Sequence, residues 1–355
     1  MKRAKFLLVC TLLCGCAEKH IIDDVSLIQA VGYDVGSDGR IKGVNLVPIY
    51  NEAHKSSAEL YMSEAHTSKA IRFQNNHSAS KPLVGGQLQL ALYSKELAQK
   101  GIYPILDTLN RDPIIGNLII LAIVDGYAEP LLKSKYANSQ NAAIYVTELL
   151  QQMMKNDVLP QSNLHSFLFD FFQMGKDPYL PIIRQQKDKV TVIGLALFKG
   201  DKYVGMIKKE RLFAFKALIQ GYEKGMHEFK ISNNEYVMLE SMRTSHKYRM
   251  QTHSPPSIDI DISVEGRIQE FSNRKPLTGV RYIKTLEKKM AKQLETEASA
   301  VISQLKILHV DPLGLGNRYR KQETHLTETQ WEKLYEKIPI RVHVRLKIVE
   351  QGAVE

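Results

Sequence analysis

An α+β fold is the class this sequence predicts: a three-domain mixed architecture whose C-terminal unit is an antiparallel sheet packed on one long amphipathic helix. Three observations carry that expectation. Strand-period and helix-period segments alternate through the first half of the chain. Residues 258–265 and 340–348 alternate apolar with polar or charged side chains, the period of a half-buried strand. Between them, Ile283, Leu286, Met290, Leu294, Ala298, Val301, Leu305 and Leu308 recur at steps of three and four, which makes one apolar helix face. The 355 residues are 44% hydrophobic and 24% charged, a balance that excludes collagen, coiled-coil rods and disorder. At about 150 residues per domain, the length suits two or three domains.

The chain opens with a leader. Lys2, Arg3 and Lys5 form a cationic region, Phe6 to Leu13 a short apolar core, and Gly15 supplies the small residue before Cys16, as in an exported signal peptide over residues 1–15. That core is too short to span a bilayer, which takes about 20 apolar residues. Leu13-Cys14-Gly15-Cys16 resembles a bacterial lipobox, cleaved between Gly15 and Cys16, with Cys16 carrying diacylglycerol through its sulfur. Cys14 departs from the small or aliphatic residue usual at its position. Two or more acyl chains give stable anchoring where one binds only marginally. All three cysteines, Cys10, Cys14 and Cys16, lie in this segment, so the mature body has no disulfide, catalytic thiol or cysteine-ligated zinc available to it. The formal charge is +10, and +7 remains once the three leader cations are set aside. Attraction to anionic headgroups or wall polymers follows, and salt would screen it.

The first domain is expected over 16–189. Val25 to Tyr33 and Arg40 to Tyr50 flank the turn cluster Asp34 to Gly39 as a hairpin, with a third strand at Ala58 to Met62. Ser63 to Lys81 is polar. His54, His66 and His77 nearby stand at spacings of twelve and eleven, which match no metal-ligand pattern. Gln87 to Tyr93 is strand-like, and helices are expected at Lys95 to Lys100 and Tyr103 to Asn110. A doubly buried strand at Asn117 to Asp125 follows, giving βαβ-like alternation. Helices are then expected at Tyr127 to Lys133, Ala142 to Lys155 and Ser162 to Phe172, the last with an aromatic stripe suited to a core.

Asp177 to Pro181 and the charged run Arg184 to Lys189 suggest a boundary. A middle domain over 190–254 would hold strands Val190 to Phe198 and Tyr203 to Ile207, a helix near Lys209 to Gln220, and a β-rich stretch to Gln251. Ser254-Pro255-Pro256 suggests a hinge into a C-terminal domain, 255–355. There the strand 258–265 exposes Asp259, Asp261 and Glu265, and the strand 340–348 exposes Arg341, Arg345 and Lys347. Opposite charges across a ladder favour pairing, so the two strands are expected side by side. A cation site on the acidic row would lack the loop geometry of calcium sites. The helix between them should be roughly 39 Å long from Ile283 to Leu308, and it ends at the turn Asp311 to Gly316.

No nucleophile elbow, zinc helix, Walker loop or EF-hand loop occurs in the chain. No catalytic or metal-binding residue is therefore assigned, no cofactor is expected, and no ligand-binding residue is identified. The basic stretches at Lys284 to Lys292 and Arg318 to Lys321 lack interleaved stacking aromatics, so nucleic-acid binding is unsupported. A solute-binding lipoprotein of a transport system is the alternative reading, which needs two similar lobes around a cleft. A wall hydrolase would show convergent carboxylates in a groove. No such groove is expected, and interfaces should be broad polar faces.

Several segments in order resemble the spore germinant-receptor C-subunit lipoprotein family of endospore-forming bacteria. They are Leu13-Cys14-Gly15-Cys16, Ala30-Val31-Gly32-Tyr33-Asp34, Glu96-Leu97-Ala98 with Gly101-Ile102, Leu109-Asn110-Arg111-Asp112-Pro113, Gly194 to Gly205, Asp311 to Gly316 and the lone Trp331. Ala17-Glu18 departs from the aromatic and acidic pair expected after the lipidated cysteine. The resemblance implies a three-domain α+β germination protein without catalytic residues, held by Cys16 on the outer face of the spore inner membrane. It also implies two integral-membrane receptor subunits as partners in nutrient-triggered germination.

Overall fold

Alternating apolar residues near the start of the chain form three antiparallel strands, β2 (Ala30–Val35), β3 (Ile41–Ile49) and β4 (Ser57–Ala65). The computed structural model describes residues 24–49, 57–136, 139, 141–253, 255–273 and 279–351, so Gly15, Cys16 and His54 lie outside the described residues. A short β1 (Ser26–Leu27) pairs in parallel with β5 (Leu83–Val84) as a two-stranded sheet of its own. Beside β2, the strands β6 (Leu90–Ser94), β7 (Ile120–Val124) and β8 (Tyr179–Gln186) add in parallel. β9 (Lys189–Lys199) and β10 (Lys202–Lys208) then complete an eight-stranded mixed sheet in the order β10-β9-β8-β7-β6-β2-β3-β4. β6 and β7 are buried at all five positions, as central strands covered on both faces must be.

Two helix layers do the covering. On one face lie α1 (Ser68–Asn76), α2 (Lys95–Lys100), α3 (Tyr103–Asn110) and α6 (Leu164–Phe172), which set Ile71, Ala98, Leu106 and Phe167 against Tyr33, Tyr93, Leu121 and Phe198. On the other lie α4 (Ala128–Lys133) and α5 (Ala142–Lys155), over Ala30, Leu92 and Ala122. The polar stretch after Ser63 holds a helix that the sequence reading did not assign. Thr67 caps α1, its hydroxyl accepting the amide of Ala70, while Ile71 is fully buried.

The second sheet has the order β11-β12-β13-β14, from β11 (Met226–Ser232), β12 (Glu235–Gln251), β13 (Ser257–Phe271) and β14 (Ile340–Gln351). The first three strands form an antiparallel meander. The expected neighbours β13 and β14 pair with Asp259 opposite Arg341 and Glu265 opposite Lys347. Their direction is parallel, because α8 (Val280–Ile307) lies between them in sequence as a crossover. Leu286, Met290, Leu294, Ala298, Val301 and Leu305 of α8 are buried in the same core as Ile258, Ile260, Ile262 and Val264. Arg341 Nε lies 2.8 Å from Asp259 Oδ1, and Arg249 donates to Asp261 from β12. The guanidinium of Arg341 holds the Asp259 carboxyl below its ordinary value.

Both expected boundaries fall inside hydrogen-bonded hairpins. Gln185 pairs with Val190 across 189/190, and Gln251 pairs with Ser257 across 254/255. The charged run Arg184 to Lys189 is the end of β8, a two-residue turn at Lys187-Asp188 and the first residue of β9, and strands of the 190–254 segment are shared between the two sheets. α7 (Leu212–Ile219) follows β10 and packs on α8 and β12, and α9 (Leu315–Arg320) and α10 (Glu328–Lys337) complete the chain before β14.

Candidate functional site at the junction of the two sheets

The turn before β8 meets the loop after α8. Asp177 donates its backbone amide to the Asp311 carbonyl at 3.0 Å, and the Asp311 amide donates to Asp177 Oδ2 at 2.8 Å. The Asp311 carboxylate in turn accepts the amides of Leu315 at 3.0 Å and Gly316 at 2.8 Å. It thereby supplies the acceptors that the first turn of α9 lacks. Asp177 Oδ1 accepts the Gly200 amide at 3.3 Å, which adds the β9–β10 turn to the joint. Burial pushes the Asp311 carboxyl up to about 7 against the pull of those amides, and the nearby Asp177 adds to the rise. Asp177 is raised for the same first reason, with Lys199 opposing.

Two glycines let the backbones touch. Gly175 sits at φ 69°, and a Cβ there would stand 2.7 Å from the Gly316 backbone. A Cβ on Gly316 would stand 2.4 Å from Trp331 Nε1. No side chain fits in that stack. Trp331 and Tyr335 are buried behind it, and the Tyr335 hydroxyl donates to the Val310 carbonyl at 2.9 Å.

A cleft of about 320 Å³ opens over this joint, lined by Asp177, Lys199, His309, Glu328, Trp331 and Glu332 among others. A carboxylate-lined groove is therefore present, contrary to expectation. Four of its five acids are engaged: Asp177 and Asp311 by backbone amides, Glu332 by Lys199 at 3.0 Å and Glu336 by His309 at 3.2 Å; the fifth is Glu328, at the start of α10. Among the described residues no group of three or more histidines, cysteines or acids is placed to hold a metal ion.

A second contact crosses the junction at the end of α5. The Lys216 ammonium, on α7 and 1% exposed, lies 2.6 Å from Asp157 Oδ1 and 4.8 Å from the centre of the Tyr222 ring. Asp157 Oδ2 accepts the amides of Glu223 and Lys224, both at 3.1 Å. The sequence reading missed Asp177, Asp157 and Lys216. A lysine within the apolar run Leu212 to Ile219 was the available signal for the last.

The other segments singled out in the sequence are joints of the same kind. Asp34 accepts the amides of Ala128 at 2.7 Å and Glu129 at 3.0 Å, capping α4 from 94 residues away. Asp112 bonds Arg72 of α1 at 3.0 Å, and Leu97 and Ala98 are core residues.

Comparison with known proteins places this architecture. A family described as "Spore germination protein N-terminal domain" matches residues 18–185, and "Spore germination B3/ GerAC like, C-terminal" matches residues 193–352. Spore germination protein GerQC of Bacillus cereus is 33% identical over 353 residues, covering 99% of this chain and 98% of that one. The chain belongs to the spore germinant-receptor C-subunit family. Putative spore germination protein YfkR of Bacillus subtilis is 22% identical over 98% of this chain and 95% of its own length. The crystal structure of the GerBC protein superposes with a TM-score of 0.61 at 15% identity, over 90% of this chain and 96% of that chain, and so shares the fold. The two family regions of this C subunit part at the β8–β9 hairpin. Asp177 and Asp311, one from each region, bind them together.

Proposed function

We propose that this chain is a lipid-anchored, non-enzymatic subunit of a nutrient germinant receptor, attached through Cys16 to the outer face of the spore inner membrane. Two integral-membrane subunits act with it to trigger germination. The observation that carries this reading is the match of essentially the whole chain to a spore germination protein at 33% identity. Support for a non-enzymatic role comes from the junction, where the buried carboxylates are committed to backbone amides that fix α9 and the β9–β10 turn. Among the described residues no helix is long and apolar enough to cross a membrane; the proposed attachment rests on the lipobox-like Leu13-Cys14-Gly15-Cys16. The two sheets differ in size and topology, unlike the similar lobes of a solute-binding lipoprotein.

Replacement of the lipidated residue tests the reading. Spores carrying Cys16→Ala should lose the chain from their membrane fraction and respond poorly to nutrients, while a non-nutrient trigger still germinates them. A Cys16→Ala chain that stays on the membrane and supports a full nutrient response would overturn it.

A further inference from the structure

We propose that the outer surface of the helix layer formed by α1, α3 and α6 is the face that rests on the bilayer, an inference that builds on the Cys16 anchor. The helices of this layer bury Ile71, Ile105 and Phe167 against the sheet and turn other apolar side chains outward. Among the described residues the exposed phenylalanines are Phe73, Phe169 and Phe172, at 65%, 56% and 66% exposure, and all three project from α1 or α6. Leu118 and Ile114, 78% and 54% exposed, come from the loop beside them.

These side chains belong to one surface. Arg72 of α1 bonds Asp112 at the start of the 112–118 loop, at 3.0 Å. At the other end of that loop, the Asn117 carbonyl accepts the amide of His165 at 3.0 Å, and the His165 ring stacks on Phe169 at 6.3 Å. Aromatic rings mixed with aliphatic side chains are what a surface needs to settle at headgroup depth. Lys69 is exposed on α1, where it can meet anionic headgroups, and Arg111, exposed at the end of α3, is paired with Asp107 at 2.8 Å.

The entry point of the chain selects the bilayer as occupant. β1 begins two residues after Asp24 and lies along β5 next to this layer: Leu27 Cδ2 and Ile114 Cγ2 converge over Gly86, 3.6 and 3.5 Å from where a Cβ would stand. Asp24 stands eight residue steps from Cys16, a contour of at most about 29 Å. A lipid at Cys16 therefore keeps the exposed Ile114 and Leu118 within reach of the membrane plane, and contact there removes apolar surface from water at a small further entropic cost.

The absence of cysteine after Cys16 makes a direct test available. The full lipidated chain with Leu118→Cys, labelled with an environment-sensitive fluorophore, is reconstituted on phosphatidylcholine–phosphatidylglycerol vesicles. Lys247→Cys, on the exposed side of β12, is the comparison. The expected result is a blue-shifted emission and about twofold or greater quenching by spin-labelled lipid at 118, with neither at 247. A chain that floats with the vesicles while its label at 118 stays unquenched overturns the orientation and leaves the anchor standing. A chain that does not float removes the anchor and the orientation with it. Shielding at 118 that appears only after spore membrane proteins are added also overturns the proposal, in favour of a protein partner.

Discussion

Asp177 and Asp311, 134 residues apart, each accept a hydrogen bond from the backbone amide of the other residue: Asp177 through its carboxylate, Asp311 through its carbonyl. The same two residues carry the β9–β10 turn and the start of α9. A motif-poor subunit thereby makes one body of two sheets, without disulfide or metal in the described joint. Its mechanical properties should depend on a few side chains at this place.

The glycine stack gives the first prediction. Gly316→Ala forces a methyl group towards Trp331, and overpacking of this kind costs about 1–3 kcal/mol. Trp331 is the chain's one tryptophan, so its emission reports on the joint directly. Denaturant unfolding followed at that emission should show a lower midpoint and an altered folded-state spectrum. An unchanged spectrum would show that the stack is looser than described.

The Asp311 carboxyl gives a pH dependence. Its folded value is raised from the ordinary aspartate value to about 7, so the folded chain keeps a proton that the unfolded chain has released. The stability this group allows is full at acidic pH and falls as pH rises towards 7, after which it is level. Carboxyls held low, such as Asp157 and Asp259, act oppositely only below the ordinary aspartate range. Stability should therefore fall between pH 5 and pH 8 in the native chain and fall less steeply in Asp311→Asn. Parallel slopes for the two would contradict the assignment.

The buried ammonium of Lys216 depends on Asp157. Asp157→Asn keeps a residue that tolerates the φ of 58° at this position and removes the charge. Stranding a buried cation costs about 3–5 kcal/mol, whereas Lys216→Met removes cation and desolvation together and should be far milder. Thermal unfolding of the two variants checks the order. Equal losses would mean that the pair acts through packing alone.

Strand and helix periods made the fold readable where one side of an element is wet. The alternation at 258–265 and 340–348 located β13 and β14 as neighbours, and the structure sets Asp259 opposite Arg341. Their parallel direction was available from the intervening helix, which acts as a crossover. Composition located the turns but not their pairing: the expected boundary at 189/190 lies where the two family regions part, yet Gln185 pairs with Val190 across it, and Gln251 pairs with Ser257 across the second. α1 was hidden because Ile71 is its one fully buried large apolar residue. The joint itself was half legible. Asp311 to Gly316 and Trp331 stood out, but their partner Asp177 looked like a turn residue, since a long-range side-chain bond has no sequence period.

Nutrient-triggered release of dipicolinic acid from spores lacking this chain tests the receptor-subunit reading most directly, with a non-nutrient trigger as control and a panel of nutrients to expose redundancy. Release is expected to fail for at least one nutrient, to proceed normally with the non-nutrient trigger, and to return when the chain is restored. Unchanged release across the whole panel would contradict it.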